Sequence, residues 1–381
     1  MNTRRKMTSR FQLTTEIIFG AGSIDNLSTE AAKLGRKALL VTYPDIRRIG
    51  LLDKVLKDLK AKNIEVVVFD KVQCNPRTTT VDEGAEFARR EKPDFFIGLG
   101  GGSVMDTTKG IAVTSAGNAS VWDYTLHRAS PQSPISPIIQ VPTIAGTGSE
   151  MNPSAVLTHW ESHIKMSLGG YPALQARVAI VDPALTLTVP MRQVKAGGVD
   201  ILSHLIEYYL TDDTPHPLTD GISETGMKIV VEYLPRAIAH PDDIEARTEL
   251  SWASTVAMSK FARLGGGGGN MTCHAVEHAL SGYYDVTHGE GLAALLPAWM
   301  RHFYRADNPR FNSLGKNVFG KKDGLKATEQ FLESIGMRLH LGDLGCKPED
   351  TQLITDLVFK SYPGKLALDA NTVAQIYRDS F

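Results

Sequence analysis

The chain has 381 residues, 42% hydrophobic and 22% charged, with a formal net charge of −1 and a sequence pI of about 6.8. That length supports two cores, and so neutral a balance offers no electrostatic footprint for nucleic acid or an anionic membrane. Small-molecule partners are expected, and no run approaches the ~20 apolar residues of a membrane span.

Met1 to Arg10 is basic, like the opening of a signal peptide, but Phe-Gln-Leu-Thr-Thr-Glu behind it is not an apolar core. A cytoplasmic protein is expected. Cys74, Cys273 and Cys346 form neither a paired framework nor a CxxC, so neither disulfides nor thiolate metal sites are expected.

Phe11 to Phe19 reads as an extended segment ending in a Gly20-Ala-Gly22 turn, followed by a helix from Ser23 to Leu34. Lys37 to Thr42 holds a short continuous apolar run, the mark of a strand buried on both faces. A helix (Leu51 to Lys62), a strand (Ile64 to Phe69), a helix (Thr80 to Arg90) and a strand (Asp94 to Leu99) follow. This alternation predicts right-handed βαβ units and a parallel sheet.

Gly98-Leu-Gly-Gly-Gly-Ser103 stands where that last strand ends and a helix opens. Glycines there let backbone N–H groups and the positive helix end approach a phosphate, although a tight connection alone would also use them. A further strand, Ile138 to Val141, leads into Pro142-Thr-Ile-Ala-Gly-Thr-Gly-Ser-Glu150, a small-residue turn able to line a ribose-nicotinamide pocket. Lys165 lies beyond, in a segment able to reach phosphate or ribose, and a strand from Arg177 to Val181 precedes Asp182-Pro-Ala-Leu-Thr186.

Past Pro190 the β-branched runs give way to amphipathic helical patterns, so an α/β domain over residues 1–190 and an all-helical domain over 191–381 are expected. The first helix, 192–212, is expected to be interrupted at Gly197-Gly198. Helices follow at 218–239, 243–263, 272–283 and 290–305, then three or four more. The Gly265 to Gly269 run reads as the loop before the helix that holds His274.

Asp200 and His204 stand four apart on a helix, and so do His274 and His278. His288 follows in a Thr-His-Gly-Glu-Gly turn. One carboxylate and two or three imidazoles can thus converge on a divalent ion, and imidazole serves iron, zinc and nickel alike. Each histidine alone would read as a hydrogen-bonded core or surface residue. Cys273 points about 100° away from His274 and reads as a small buried residue.

Taken together, Gly100-Gly-Gly-Ser-x-x-Asp-x-x-Lys109, Pro142-Thr-x-x-Gly-Thr-Gly-Ser-Glu150, Asp182-Pro-x-Leu-Thr186, Gly198-x-Asp-x-x-x-His204 and His288-Gly-x-Gly-Leu-Ala resemble the iron-containing (group III) alcohol dehydrogenases, in family order and over nearly the whole chain. Thr147-Gly-Ser-Glu-Met-Asn and the stretch from His288 to Met300 look most like the butanol-dehydrogenase branch.

The resemblance implies a dehydroquinate-synthase-like fold with a Rossmann-like half, and metal-dependent NAD- or NADP-linked hydride transfer between a small primary alcohol or diol and its aldehyde. It implies Asp200, His204, His274 and His288 as ligands of iron(II), with zinc or nickel as alternatives, and His278 as a proton relay beside the nicotinamide. Gly101, Gly102, Ser103 and Asp106 match the pyrophosphate and nicotinamide contacts, Thr143, Thr147, Lys165 and Leu185 match further cofactor contacts, and Asn75 matches the adenosine side. Tyr43 stands where many members carry an Asp that binds the ribose 2′-hydroxyl, which leaves NAD and NADP both open. A homodimer, with N-terminal strands pairing across copies, is also implied. The alternatives are a zinc-dependent, glycerol-dehydrogenase-like polyol oxidoreductase, which His204 as a fourth ligand argues against, and a catalytically dead nucleotide-binding protein.

Overall fold

The structure, a computed structural model, describes residues 12–212, 216–263, 270–303 and 309–381; the Gly265 to Gly269 run lies outside them. The first half carries β1 (Glu16–Phe19), α1 (Leu27–Ala32), β2 (Lys37–Val41), α2 (Leu51–Ala61), β3 (Glu65–Phe69), α3 (Thr78–Glu91), β4 (Phe95–Gly100), α4 (Gly102–Ser115), α5 (Val121–Thr125), β5 (Ile138–Pro142), β6 (Ala155–His159), β7 (Ile164–Leu168) and β8 (Val178–Val181). Six of these strands form one parallel sheet in the order β1-β8-β5-β4-β2-β3. Ala38, Leu39, Leu40 and Val41 are wholly buried, because α/β connections cover both faces of a parallel sheet.

From β2 the chain runs to β3 on one side and returns to β4 on the other, so the connections reverse direction between β2 and β4. A reversal of this kind leaves a crevice at the carboxyl ends of the two strands. Thr42 and Tyr43 end one strand, Gly100 to Ser103 end the other, and Thr42 Oγ1 donates to Leu99 O across them (2.8 Å).

The antiparallel pair β6–β7 was not foreseen. Its returning strand puts Lys165 against α9 (Thr272–Tyr284), where Gly282 admits it: a Cβ there would lie 2.8 Å from His163 O.

Helices make up the second half: α6 (Met191–Thr211), α7 (Pro217–Ala239), α8 (Ile244–Met258), α9, α10 (His288–Phe303), α11 (Pro309–Phe319), α12 (Gly324–Ser334), α13 (Thr351–Ser361) and α14 (Ala370–Arg378). They share one apolar core that includes Leu202, Val276, Leu295 and Trp299. The expected interruption at Gly197-Gly198 does not occur, and α6 runs through both glycines. They serve packing instead. A Cβ on Gly197 would lie 2.1 Å from Ala145 O, and one on Gly198 2.4 Å from Leu234 Cδ2. No helix among the described residues is long and apolar enough to cross a membrane.

Candidate active site between the two halves

A cleft of about 310 Å³ lies between the halves, lined on one side by Gly102, Ser103, Asp106 and Thr147 and on the other by Asp200, His204, His274, His278 and His288. On α6, Asp200, His204 and Glu207 recur at one-turn and two-turn spacing and share a buried face. His274, Glu277 and His278 do the same on α9. His288 opens α10 rather than standing in a turn before it, and the next residue, Gly289, is held so close that a Cβ would lie 2.2 Å from Ala196 O.

Asp200 Oδ1 is the convergence point. It lies 3.4 Å from His274 Nε2, 3.6 Å from His204 Nδ1 and 3.7 Å from His288 Nε2. Two carboxylates that the sequence reading did not single out stand behind these rings. Glu207 bonds His274 Nδ1, and Glu277 bonds His288 Nδ1. Each bond places the ring proton on the outer nitrogen and turns the Nε2 lone pair inward, as the outer partners of metal-bound histidines do. Glu207 Oε2 also accepts from the backbone N–H of Cys273 (2.8 Å) and His274 (3.3 Å), capping α9 from a neighbouring helix. Cys273 itself is buried in the helical core, off the histidine face, as its position beside His274 predicts.

The charges agree with this geometry. Asp200, Glu207 and Glu277 are buried together with Lys165, so three carboxylates face one ammonium and leave two negative charges if the imidazoles are neutral. A divalent cation would balance them. Burial alone would raise the Asp200 carboxyl, but His204, His274 and His288 together hold it well below the usual carboxylate range. Burial likewise disfavours an imidazolium at His274, yet Glu207 and Asp200 push it up to about 10. The cluster therefore demands positive charge, and one Asp with three imidazoles suits iron, zinc or nickel.

His278 differs from its neighbours. Burial first, then Lys165 and the other histidines, keep its pKa well below normal, so the ring is neutral. Its Nδ1 lies 2.5 Å from the hydroxyl of Tyr362, just past the end of α13.

The residues matched to the cofactor divide into two groups. Gly102, Ser103, Asp106, Thr147, Lys165 and Asn75 line the cleft; Tyr43, Gly101, Thr143 and Leu185 stand outside its wall. Tyr43 and Gly101 flank the crevice between β2 and β4, Thr143 is buried with its N–H bonded to Gly100 O (3.1 Å), and Leu185 packs on the sheet core. Gly102 has no space for a side chain, since a Cβ would lie 2.5 Å from Thr147 Cγ2.

Asp106 is already engaged within the protein, accepting from Ser149 Oγ (2.6 Å) and Val156 N (2.8 Å). The buried Lys109 donates to Ser149 O (2.7 Å) and Ser154 O (2.6 Å), and with Asp106 it braces the loop that follows β5. Asn75 lies on the cleft wall beside Lys165. Its Nδ2 donates to Asp285 Oδ1 (2.9 Å) and Val286 O (3.0 Å), and its Oδ1 accepts from Lys165 Nζ (2.9 Å), which ties it to the helical half two residues before His288.

A glycine-rich strand end sharing one cleft with a buried acid-histidine cluster is a layout that suits an oxidoreductase joining a dinucleotide to a metal. Comparison with known proteins specifies the kind. Residues 14–183 match the iron-containing alcohol dehydrogenase family, and residues 194–381 match the C-terminal region of the Fe-containing alcohol dehydrogenase family. NADH-dependent butanol dehydrogenase A of Clostridium acetobutylicum is 32% identical over 97% of this chain and 99% of its own length. 1,3-Propanediol dehydrogenase of Citrobacter freundii is 32% identical over 95% of this chain and 96% of its own. The crystal structure of NADH-dependent butanol dehydrogenase A from Thermotoga maritima superposes with a TM-score of 0.92 at 33% identity, covering 97% of this chain and 98% of that one. The chain belongs to the iron-containing alcohol dehydrogenase family and is an alcohol dehydrogenase.

Proposed function

We propose that the chain interconverts small uncharged primary alcohols or diols and their aldehydes, using NADH and a divalent ion, iron(II) first, held by Asp200, His204, His274 and His288. The convergence of three ring nitrogens on Asp200 Oδ1, with Glu207 and Glu277 behind two of the rings, carries this reading. Bound there, the ion supplies Lewis-acid polarisation of the substrate oxygen, and the nicotinamide supplies or accepts the hydride.

The remaining work falls to the chain. Gly101, Gly102 and Ser103, at the N-terminal end of α4, offer backbone N–H groups to the pyrophosphate. Thr143, Thr147 and Leu185 border the cofactor's course, with Tyr43 at the adenosine ribose. Asp106 and Lys165 act as anchors of the cleft wall. His278 holds the proton exchanged with the substrate oxygen.

Two observations narrow the substrate. Tyr208, Met258, Met271 and Val156 give the cleft an apolar wall. Lys165, the cleft's lysine, is occupied by Asn75, Ser281 and, at 3.7 Å, Glu277, which leaves no unpaired cation among the described lining residues for an anionic substrate. The relatives named as butanol and propanediol dehydrogenases point the same way. NADH is favoured over NADPH because the relatives include NADH-dependent enzymes, and because Arg47 and Arg48, near Tyr43, are paired with Asp53 and Asp45.

The cofactor half spans residues 1–190 and the metal half 191–381. The protein works in the cytoplasm as a homodimer, the outer edge of β1 being unpaired among the described residues; light scattering that gives the monomer mass would refute the dimer. The main test is metal analysis of anaerobically purified protein, with NADH and NADPH oxidation followed on a short aldehyde series before and after chelation. One divalent ion per chain, with turnover lost on chelation and restored by iron(II), is expected. Full turnover without metal would overturn the reading.

A further inference from the structure

Tyr362 reaches the cleft from a part of the chain remote in sequence from the three helices that carry the acid-histidine cluster. Its hydroxyl lies 2.5 Å from His278 Nδ1, and its ring stacks beside the imidazole, with centroids 6.2 Å apart and planes 26° apart. A phenol and a neutral imidazole can share one hydrogen in two ways: O–H donates to Nδ1, or Nδ1–H donates to the oxygen. In the second, the phenolic hydrogen needs another acceptor, and the hydroxyl has no other hydrogen bond among the described residues. The first leaves the Nε2–H for the cleft, and it is favoured because it pairs the more acidic donor, the phenol, with the more basic acceptor, an imidazole lone pair.

We propose that Tyr362 is a positioning residue that fixes His278 in the tautomer with hydrogen on Nε2, presenting an N–H donor to the substrate oxygen; as that proton passes to the oxygen, the phenolic proton moves to Nδ1 and solvent returns one to the phenol, so the imidazole stays neutral. A ring locked by a hydrogen bond at its far nitrogen keeps both its tautomer and its plane, and either error is costly where an imidazole must exchange one proton. Two of the other three histidines on this wall, His274 and His288, obtain the opposite setting from carboxylates. Glu207 and Glu277 accept at Nδ1 and so leave His274 and His288 with inward lone pairs. A phenol at the third ring reverses the polarity. For these three rings the outer partner separates the roles, a carboxylate behind His274 and His288 and a hydroxyl behind His278. The inference rests on the proposed role of His278 in proton exchange.

The experiment is nitrogen-15 NMR on histidine-labelled, zinc-loaded enzyme, with the His278 signals assigned by their loss in His278→Gln, together with steady-state kinetics of Tyr362→Phe. In the wild type, His278 is expected to show a protonated Nε2 and an acceptor-type Nδ1. In Tyr362→Phe the two tautomers should mix, while kcat falls at least about tenfold with KM and bound metal little changed. A protonated Nδ1 in the wild type would overturn the proposal without any variant, which covers the case of Tyr362→Phe failing to fold. An unchanged tautomer or unchanged kcat in a folded Tyr362→Phe would overturn it equally. The tautomer is read without substrate, so failure to oxidise any alcohol would count against the proposed activity and leave this measurement valid.

Discussion

Glu277 shows how much of this site depends on residues that touch no substrate. It is wholly buried, it bonds His288 Nδ1, and it lies 3.7 Å from Lys165. Burial alone would raise its pKa, but His288 and Lys165 outweigh that and hold it below the usual carboxylate range, so it stays charged behind the ring. Glu277→Gln keeps the volume and removes the charge. Metal affinity measured by chelator competition should fall about 10- to 100-fold, the usual cost of losing an outer partner of a ligand. Unchanged affinity would show that Glu277 does not orient His288. In the sequence, the histidines were legible because i,i+4 spacing on an apolar helix is a local pattern. Glu207 and Glu277 lay on the same helices, and a Glu inside an apolar run was the available sign, but spacing does not say which ring an inward carboxylate meets. Tyr362 gave no sign at all, being 84 residues from its partner.

At the scale of elements, the strands and helices of the parallel sheet were readable because each is a short apolar run or an amphipathic stretch bounded by polar residues. The β6–β7 hairpin was not, since its strands are five residues each and Lys165, the second residue of β7, puts an inward charge in one of them. Gly197-Gly198 misled for a related reason: glycine weakens a helix locally, and the tertiary contact that requires it is invisible in sequence. That contact sets where α6, with Asp200 and His204, sits against the loop carrying Thr147. Gly197→Ala would drive a Cβ to within 2.1 Å of Ala145 O. Overpacking of this kind should cost about 2 kcal/mol and lower Tm by roughly 4–8 °C for a unit of this size. Gly221, on α7, has nothing within 4 Å of a built Cβ, so Gly221→Ala should gain up to about 1 kcal/mol from helix propensity. Scanning calorimetry on the pair separates packing from propensity, and equal shifts of one sign would refute the contact argument.

The whole molecule is organised as two halves pinned on both flanks of one cleft. On one flank the loop after β5 meets α8, through Gly146 N to Ser254 Oγ (2.9 Å) and Thr255 Oγ1 to Glu150 Oε1 (2.8 Å). On the other, Asn75 and Arg77 from the sheet half hold Asp285 between α9 and α10; Arg77 donates to Asp285 Oδ2 at 2.6 Å while its guanidinium lies 3.9 Å over the Trp160 ring. Asp285 has a φ of 60°, which Asn also tolerates, so Asp285→Asn keeps the turn while removing the charge and one of the two acceptor oxygens. The side chain of Arg77 is 9% exposed and that of Asp285 44%, which places the pair between a surface and a buried one. Its loss should cost about 1–2 kcal/mol. Because this flank ends three residues before His288, the cost should appear as local opening of the cleft and not as global unfolding. Hydrogen exchange in Asp285→Asn should rise at 75–78 and 285–288, while the protection of β4 and β5 stays as in the wild type. The surface pair Arg47–Asp53 is the control: both side chains are more than half exposed, and Arg47→Ala should leave exchange at 285–288 unchanged. If Asp285→Asn leaves the protection at 285–288 as in the wild type, the ion pair does not hold the halves together, and the seam rests on the α8 flank and the hydrogen bonds of Asn75.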